Sequence, residues 1–173
     1  EHSDLLKFSW DGATATATGG GVFLIEHPAD PGEPYASSWS TNYVRAQEAL
    51  AAAERFHCDQ CTLGAPSMKP TTFSTNVPAL IMREEGLTGS CPGTSAAHQH
   101  VSLVGKRSDG TFKTQRAQEY TPELCAALAR SLLRGLLRLR AAGEQPTVSV
   151  TPSRTDVQQA QDDWLEKEKR ANE

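Results

Sequence analysis

Five residues in this sequence have the types and spacing to hold a metal ion. Cys58 and Cys61 form a C-x-x-C pair, Cys91 follows, and His98 and His100 form an H-x-H. Zinc takes four soft or borderline ligands in a tetrahedron, and a C-x-x-C pair supplies two of them at a suitable bite. Cys91 with either histidine would complete a Cys3His site. The competing reading puts Cys58 inside a strand, where a free cysteine packs as a small hydrophobe. In an uninterrupted strand, Cys58 and Cys61 would also face opposite sides.

Two other groups of residues could carry chemistry. Glu26, His27 and Pro28 close an apolar run. Ligands of parallel sheets bind beyond the carboxyl ends of strands, so a carboxylate there is placed to meet the amidine-like edge of a base. The alternative is a glutamate leaving the sheet for solvent. Arg130, Arg134 and Arg138 recur every four residues. They would either contact phosphates or form the solvated face of a helix.

The elements that must position these residues follow from pattern. Residues 1–19 are small and weakly patterned and read as a flexible segment, and "TGGG" reads as a loop. Residues 22–25 form a continuous apolar run, predicting a strand buried on both faces as in a parallel sheet. Pro28, Pro31 and Pro34 then impose an extended loop. Ser37 or Ser38 caps a predicted helix running to about Arg55, with Trp39, Tyr43, Ala46, Leu50 and Ala53 on one face. Residues 55–61 and 71–76 read as paired strands joined by a Gly64-Ala65-Pro66 turn. Residues 77–85 suggest a short helix with Pro78 in its first turn and Gly86 past its end. A further strand is expected at 101–104, then a turn at "SDGT". The clearest helix begins at Thr121 with Pro122 at its first position, and ends at Gly143.

These elements predict an α/β or α+β layer fold, α/β being favoured, in one domain, residues 20–142. A flexible segment would precede it, and a linker and acidic tail, 143–173, would follow. The 173 residues are 38% apolar and 22% charged, with a formal net charge of -4. No global basic field advertises nucleic acid. From Gly143 onward there are seven acidic and four basic residues, so the predicted domain is nearly neutral and DNA remains a possible partner. The leucine-rich last helix and the acidic tail are candidate surfaces for a protein partner. No apolar run reaches the ~20 residues of a membrane span. Four cysteines are too few for a disulfide scaffold and suit a reducing, intracellular compartment. Residue 1 is Glu, so the chain is expected to be a fragment, a processed product or an excised domain.

Taken in order, "FLIEHP", "SSW", "FHCDQCTLGAPSMKPTTFSTNVP", Cys91, "HQH" and "TQRAQEYTPELCAAL" resemble the back half of phage-type DNA cytosine-C5 methyltransferases. Similar segments occur in mobile-element-like proteins of unicellular eukaryotes. The resemblance spans about residues 22–133 and rests on motif order. It implies part of a Rossmann-like, methyltransferase-type sheet with a β-hairpin and flanking helices. It implies that Glu26 hydrogen-bonds a flipped cytosine and that Arg116 matches the arginine before the final helix. His27, Cys61, Gly64, Lys69, Thr71 and Asn76 would line the base pocket. His27 stands where the family has Asn. No cysteine precedes Cys58, so the Pro-Cys nucleophile loop is missing, as is the Phe-x-Gly-x-Gly turn for S-adenosylmethionine. That cofactor is implied only if a front half carrying both is present. The resemblance therefore implies a base-recognition half that is inactive alone. The rival readings are a zinc-stabilised module and a partner-binding domain.

Overall fold

A computed structural model describes residues 2–114 and 119–143. Four α-helices and three strands are present among them: α1 (His2–Thr18), β1 (Leu24–Pro28), α2 (Asn42–Leu50), β2 (Glu54–Asp59), β3 (Pro70–Thr75), α3 (Ala79–Glu84) and α4 (Pro122–Ala141). The sheet order is β1-β3-β2, and β3 is antiparallel to both neighbours. The fold is a mixed α/β arrangement around this small sheet.

β-strand alternation divides the core between the two faces. Phe56, Cys58, Phe73, Val77, Ile81, Met82, Leu87, Leu124 and Ala127 form one cluster, packed under α3 and α4. Trp10, Ala13, Phe23, Trp39, Val44 and Ala51 form the other, under α1 and α2. Leu24 packs against the first cluster and its neighbour Ile25 against the second. β3 is central and buried from Thr71 to Thr75. Its hydroxyls are satisfied. Thr72 pairs with His57 at 2.9 Å, Ser74 donates to Glu48 at 2.9 Å, and Thr75 donates to the Phe23 carbonyl.

Several expectations are corrected. The strand after the glycines is an antiparallel edge strand, not a parallel one buried on both faces. β1 and β2 do run parallel to each other, because each is antiparallel to β3, but they do not pair. Residues 2–18, expected to be flexible, form α1. Threonine and glycine disfavour helix locally, but Trp10 is fully buried, edge-on to Phe23 and Trp39 with ring centroids 6.4 and 6.5 Å away. Thr16 and Thr18 return their hydroxyls to the carbonyls of Gly12 and Thr14 at 2.8 and 3.0 Å. Tertiary docking overrides propensity here.

The helix expected from Ser37 to Arg55 is broken. Ser37 caps a 3-10 turn at Ser38–Ser40, and Thr41 then caps α2. Ala52, at φ 49°, stops it before β2. Leu50 is exposed and Val44 is buried instead. Residues 101–104 form no strand. The helices 79–84 and 122–141 stand close to where they were expected; Thr121 caps the second as predicted, while Pro78 is the N-cap of the first rather than part of its first turn. Two of the three stripe arginines are engaged within the chain. Arg130 bonds Glu85 at 2.6 Å, and Arg134 bonds Glu85 at 2.7 Å and also Glu84. The acidic tail and Arg116 lie outside the described residues. Among those described, no helix is long and apolar enough to cross a membrane.

Candidate metal centre

Four of the five expected metal ligands converge. One donor atom each from Cys61, Cys91, His98 and His100 lies within 4.8 Å of all the others. Cys91 Sγ stands 3.5 Å from His98 Nε2 and 3.6 Å from His100 Nε2, and the two Nε2 atoms are 2.9 Å apart. Zinc–ligand bonds of about 2.3 Å to sulfur and about 2.0 Å to nitrogen set sulfur–nitrogen edges of about 3.5 Å in a tetrahedron. The sulfur–nitrogen edges therefore match, and the imidazoles need part only slightly. Around a metal ion, two thiolates and two imidazoles would fill all four positions, the donor set of a structural rather than a catalytic site.

Local structure explains which cysteines meet. β2 ends at Asp59, and a 3-10 turn, Gln60–Leu63, follows. That turn breaks the strand alternation and swings Cys61 toward the 91–100 loop. Gly64, at φ 84°, closes the turn with its N–H on the Cys61 and Gln60 carbonyls. Cys58 stays in the strand and points into the core. Its sulfur lies 3.8 Å from Thr62 Oγ1 and 3.9 Å from the Gly86 carbonyl. It is not part of the cluster, because the strand holds it on the core side. Both histidines join, where either one was expected to complete a site with three cysteines.

The surroundings orient the donors. Asp59 Oδ2 accepts the Cys91 N–H at 2.8 Å, and the Gly93 N–H donates to Cys91 Sγ at 3.3 Å. Thr94 Oγ1 stands 3.4 Å from His100 Nδ1, leaving Nε2 for the centre. Such second contacts fix ligand tautomer and orientation. The sequence carried a faint sign of them in Cys91-Pro92-Gly93, a turn able to aim an N–H back at sulfur. Burial, then the adjoining Cys91 thiol, pushes the Cys61 thiol up to about 11. A divalent cation reverses this by favouring the thiolate.

The other expected site residues fall in two places. Glu26 and Lys69 face each other, with Lys69 Nζ 3.8 Å from Glu26 Oε1. That oxygen is buried and, among the described residues, accepts no hydrogen bond. Tyr120, which no sequence signal marked, joins them. Its hydroxyl is pushed up by burial and by a hydrogen bond to Glu26, and Lys69 lies 5.4 Å from its ring centroid. Thr71 is buried and holds Gln60 Nε2 at 2.9 Å. His27 packs edge-on against Trp39 with centroids 5.9 Å apart. Asn76 lies at the other end of β1, accepting the Phe23 N–H and donating to the Gly21 carbonyl.

Comparisons with protein-family models, with characterised proteins and with solved structures find no match for this chain.

Proposed function

We propose that this chain is a metal-stabilised binding module, in which zinc held by Cys61, Cys91, His98 and His100 staples the loop after α3 to the sheet. The carrying observation is the convergence of two thiols and two imidazoles, from segments far apart in sequence, within 4.8 Å. The loop needs such a staple. Leu87 anchors its start in the core, but farther along Val101, Val104 and Phe112 are exposed, so that part has little core of its own. Zinc with two thiolates is formally neutral, which suits a half-buried position. The test is metal content of the reduced, purified chain by mass spectrometry. One equivalent of zinc, lost in Cys61→Ala and Cys91→Ala but kept in Cys58→Ala, is expected. A chain that takes up no zinc under reducing conditions refutes the reading.

A second reading, the base-recognition half of a DNA cytosine methyltransferase-like protein, is supported by the Glu26–Lys69–Tyr120 group. A buried carboxylate oxygen without a donor is suited to the amino and ring N–H groups of a cytosine edge. The partial Rossmann-like sheet is supported by β1 and β2 running parallel through a crossover that contains α2. On this reading S-adenosylmethionine belongs to a front half outside this chain. The check is calorimetric titration with deoxycytidine monophosphate. Binding lost in Glu26→Gln is expected, and heats unchanged by that substitution exclude it.

A further inference from the structure

We propose that the hairpin at residues 105–113 is a contact surface for single-stranded nucleic acid. The inference rests on the metal-stabilised reading, because the same loop carries both the ligands and the hairpin. Lys106 bridges Phe112 in antiparallel pairing. The Arg107 N–H donates to the Thr111 carbonyl at 2.8 Å, and the Lys113 N–H to the Gly105 carbonyl at 3.1 Å. Gly110, at φ 83°, allows the tight turn, its N–H on the Arg107 carbonyl. Lower in the loop, the Val101 N–H ties to the Pro66 carbonyl at 2.7 Å.

Charge and exposure name the partner. The hairpin holds three cations, Lys106, Arg107 and Lys113, against one acid, Asp109. Asp109 is exposed at the turn, where it accepts the Thr111 N–H at 2.9 Å and its hydroxyl at 2.6 Å and partly offsets the charge of Arg107. Phe112 keeps 62% of its surface exposed, although Lys106 Nζ lies 4.9 Å from its centroid. Paired residues of an antiparallel ribbon share a face, so Lys106 and Phe112 project together. Arg107 and Lys113 occupy the opposite face, so their charge flanks the ribbon while Lys106 stands beside the ring. An exposed ring among cations is the pairing that holds an unpaired base and its flanking phosphates. In a duplex the bases are already stacked, which leaves that ring without a partner. An acidic peptide would satisfy the cations but not the ring.

The test uses the full, zinc-loaded chain and fluorescein-labelled thymidine and uridine oligonucleotides, read by anisotropy. Binding to either is expected, and the preferred sugar identifies DNA or RNA as the source. Three phosphate contacts predict an affinity loss of about 20-fold between about 50 and 200 mM salt. Lys106→Ala/Arg107→Ala/Lys113→Ala should remove most of that salt dependence. Phe112→Ala should weaken binding at least about fivefold while leaving the salt slope unchanged. Zinc content measured on the same variants must stay at one equivalent, so failure of the hairpin is distinguishable from failure of the metal centre. Absence of binding at low salt overturns the proposal. So does affinity for duplex or polyglutamate equal to that for the oligonucleotides, or indifference to Phe112→Ala.

Discussion

If zinc occupies the candidate centre as proposed, chelating it is expected to cost the fold about 3.6 kcal/mol, from the loop that the centre closes. Cys61 and Cys91 lie 30 residues apart. A cross-link between them removes loop entropy from the unfolded chain, and a loop of that length gives the stated figure at room temperature. The metal cross-link acts as a disulfide would once zinc is concentrated enough to occupy the unfolded chain as well, and it contributes less below that concentration. For a chain of this size each kcal/mol moves the melting midpoint by about 3 °C, so a fall on the order of 10 °C follows. The assay is a thermal melt by circular dichroism with zinc in excess, and again after a strong chelator, under reductant. Cys91→Ala should melt at the chelated temperature and be insensitive to added zinc. Cys58→Ala should remain zinc-responsive, because Cys58 packs in the core and ligates nothing. A midpoint that chelator does not move, or a zinc response that follows Cys58 rather than Cys91, would show the reasoning to be wrong.

Other consequences follow from packing and charge. Trp10→Ala should cost about 3–5 kcal/mol in urea unfolding, since Trp10 is fully buried at the centre of the second core; a cost near zero would mean α1 is not docked. At Gly135, a Cβ would meet Val77 Cγ2 at 3.0 Å and Val22 Cγ1 at 3.4 Å. Gly135→Leu should therefore destabilise by about 1–3 kcal/mol through overpacking, while Gly135→Ala, with better helix propensity, stays near neutral. Hydrogen bonds from Arg130, then from Arg134, hold Glu85 below its ordinary value of 4.5. Its stabilising contribution is thus complete above about pH 4.5 and is lost as the pH falls through the lowered folded value. Glu85→Gln should flatten the acid limb of a stability-versus-pH curve, and an unchanged limb would remove Glu85 from the account.

The sequence alone determined what short-range chemistry controls. Thr121-Pro122 fixed the start of α4, because capping and the missing proline N–H are local. Alternation and turn residues marked β2 and β3 as a hairpin, and Pro78 and Gly86 bracketed α3. The choice of Cys91, His98 and His100 as ligand candidates was legible from residue type. What only the tertiary structure decided depends on contacts distant in the chain. α1 has poor intrinsic propensity and exists because Trp10 meets Phe23 and Trp39. The direction of the sheet was not readable, since an apolar run such as Leu24-Ile25 looks the same at a parallel centre and at an antiparallel edge covered by helices. The engagement of Arg130 and Arg134 needed the position of Glu84 and Glu85 on another helix. The division between Cys58 and Cys61 turned on one 3-10 turn. Spacing names both cysteines, and only the path of the backbone sends one to the core and the other to the Cys/His cluster.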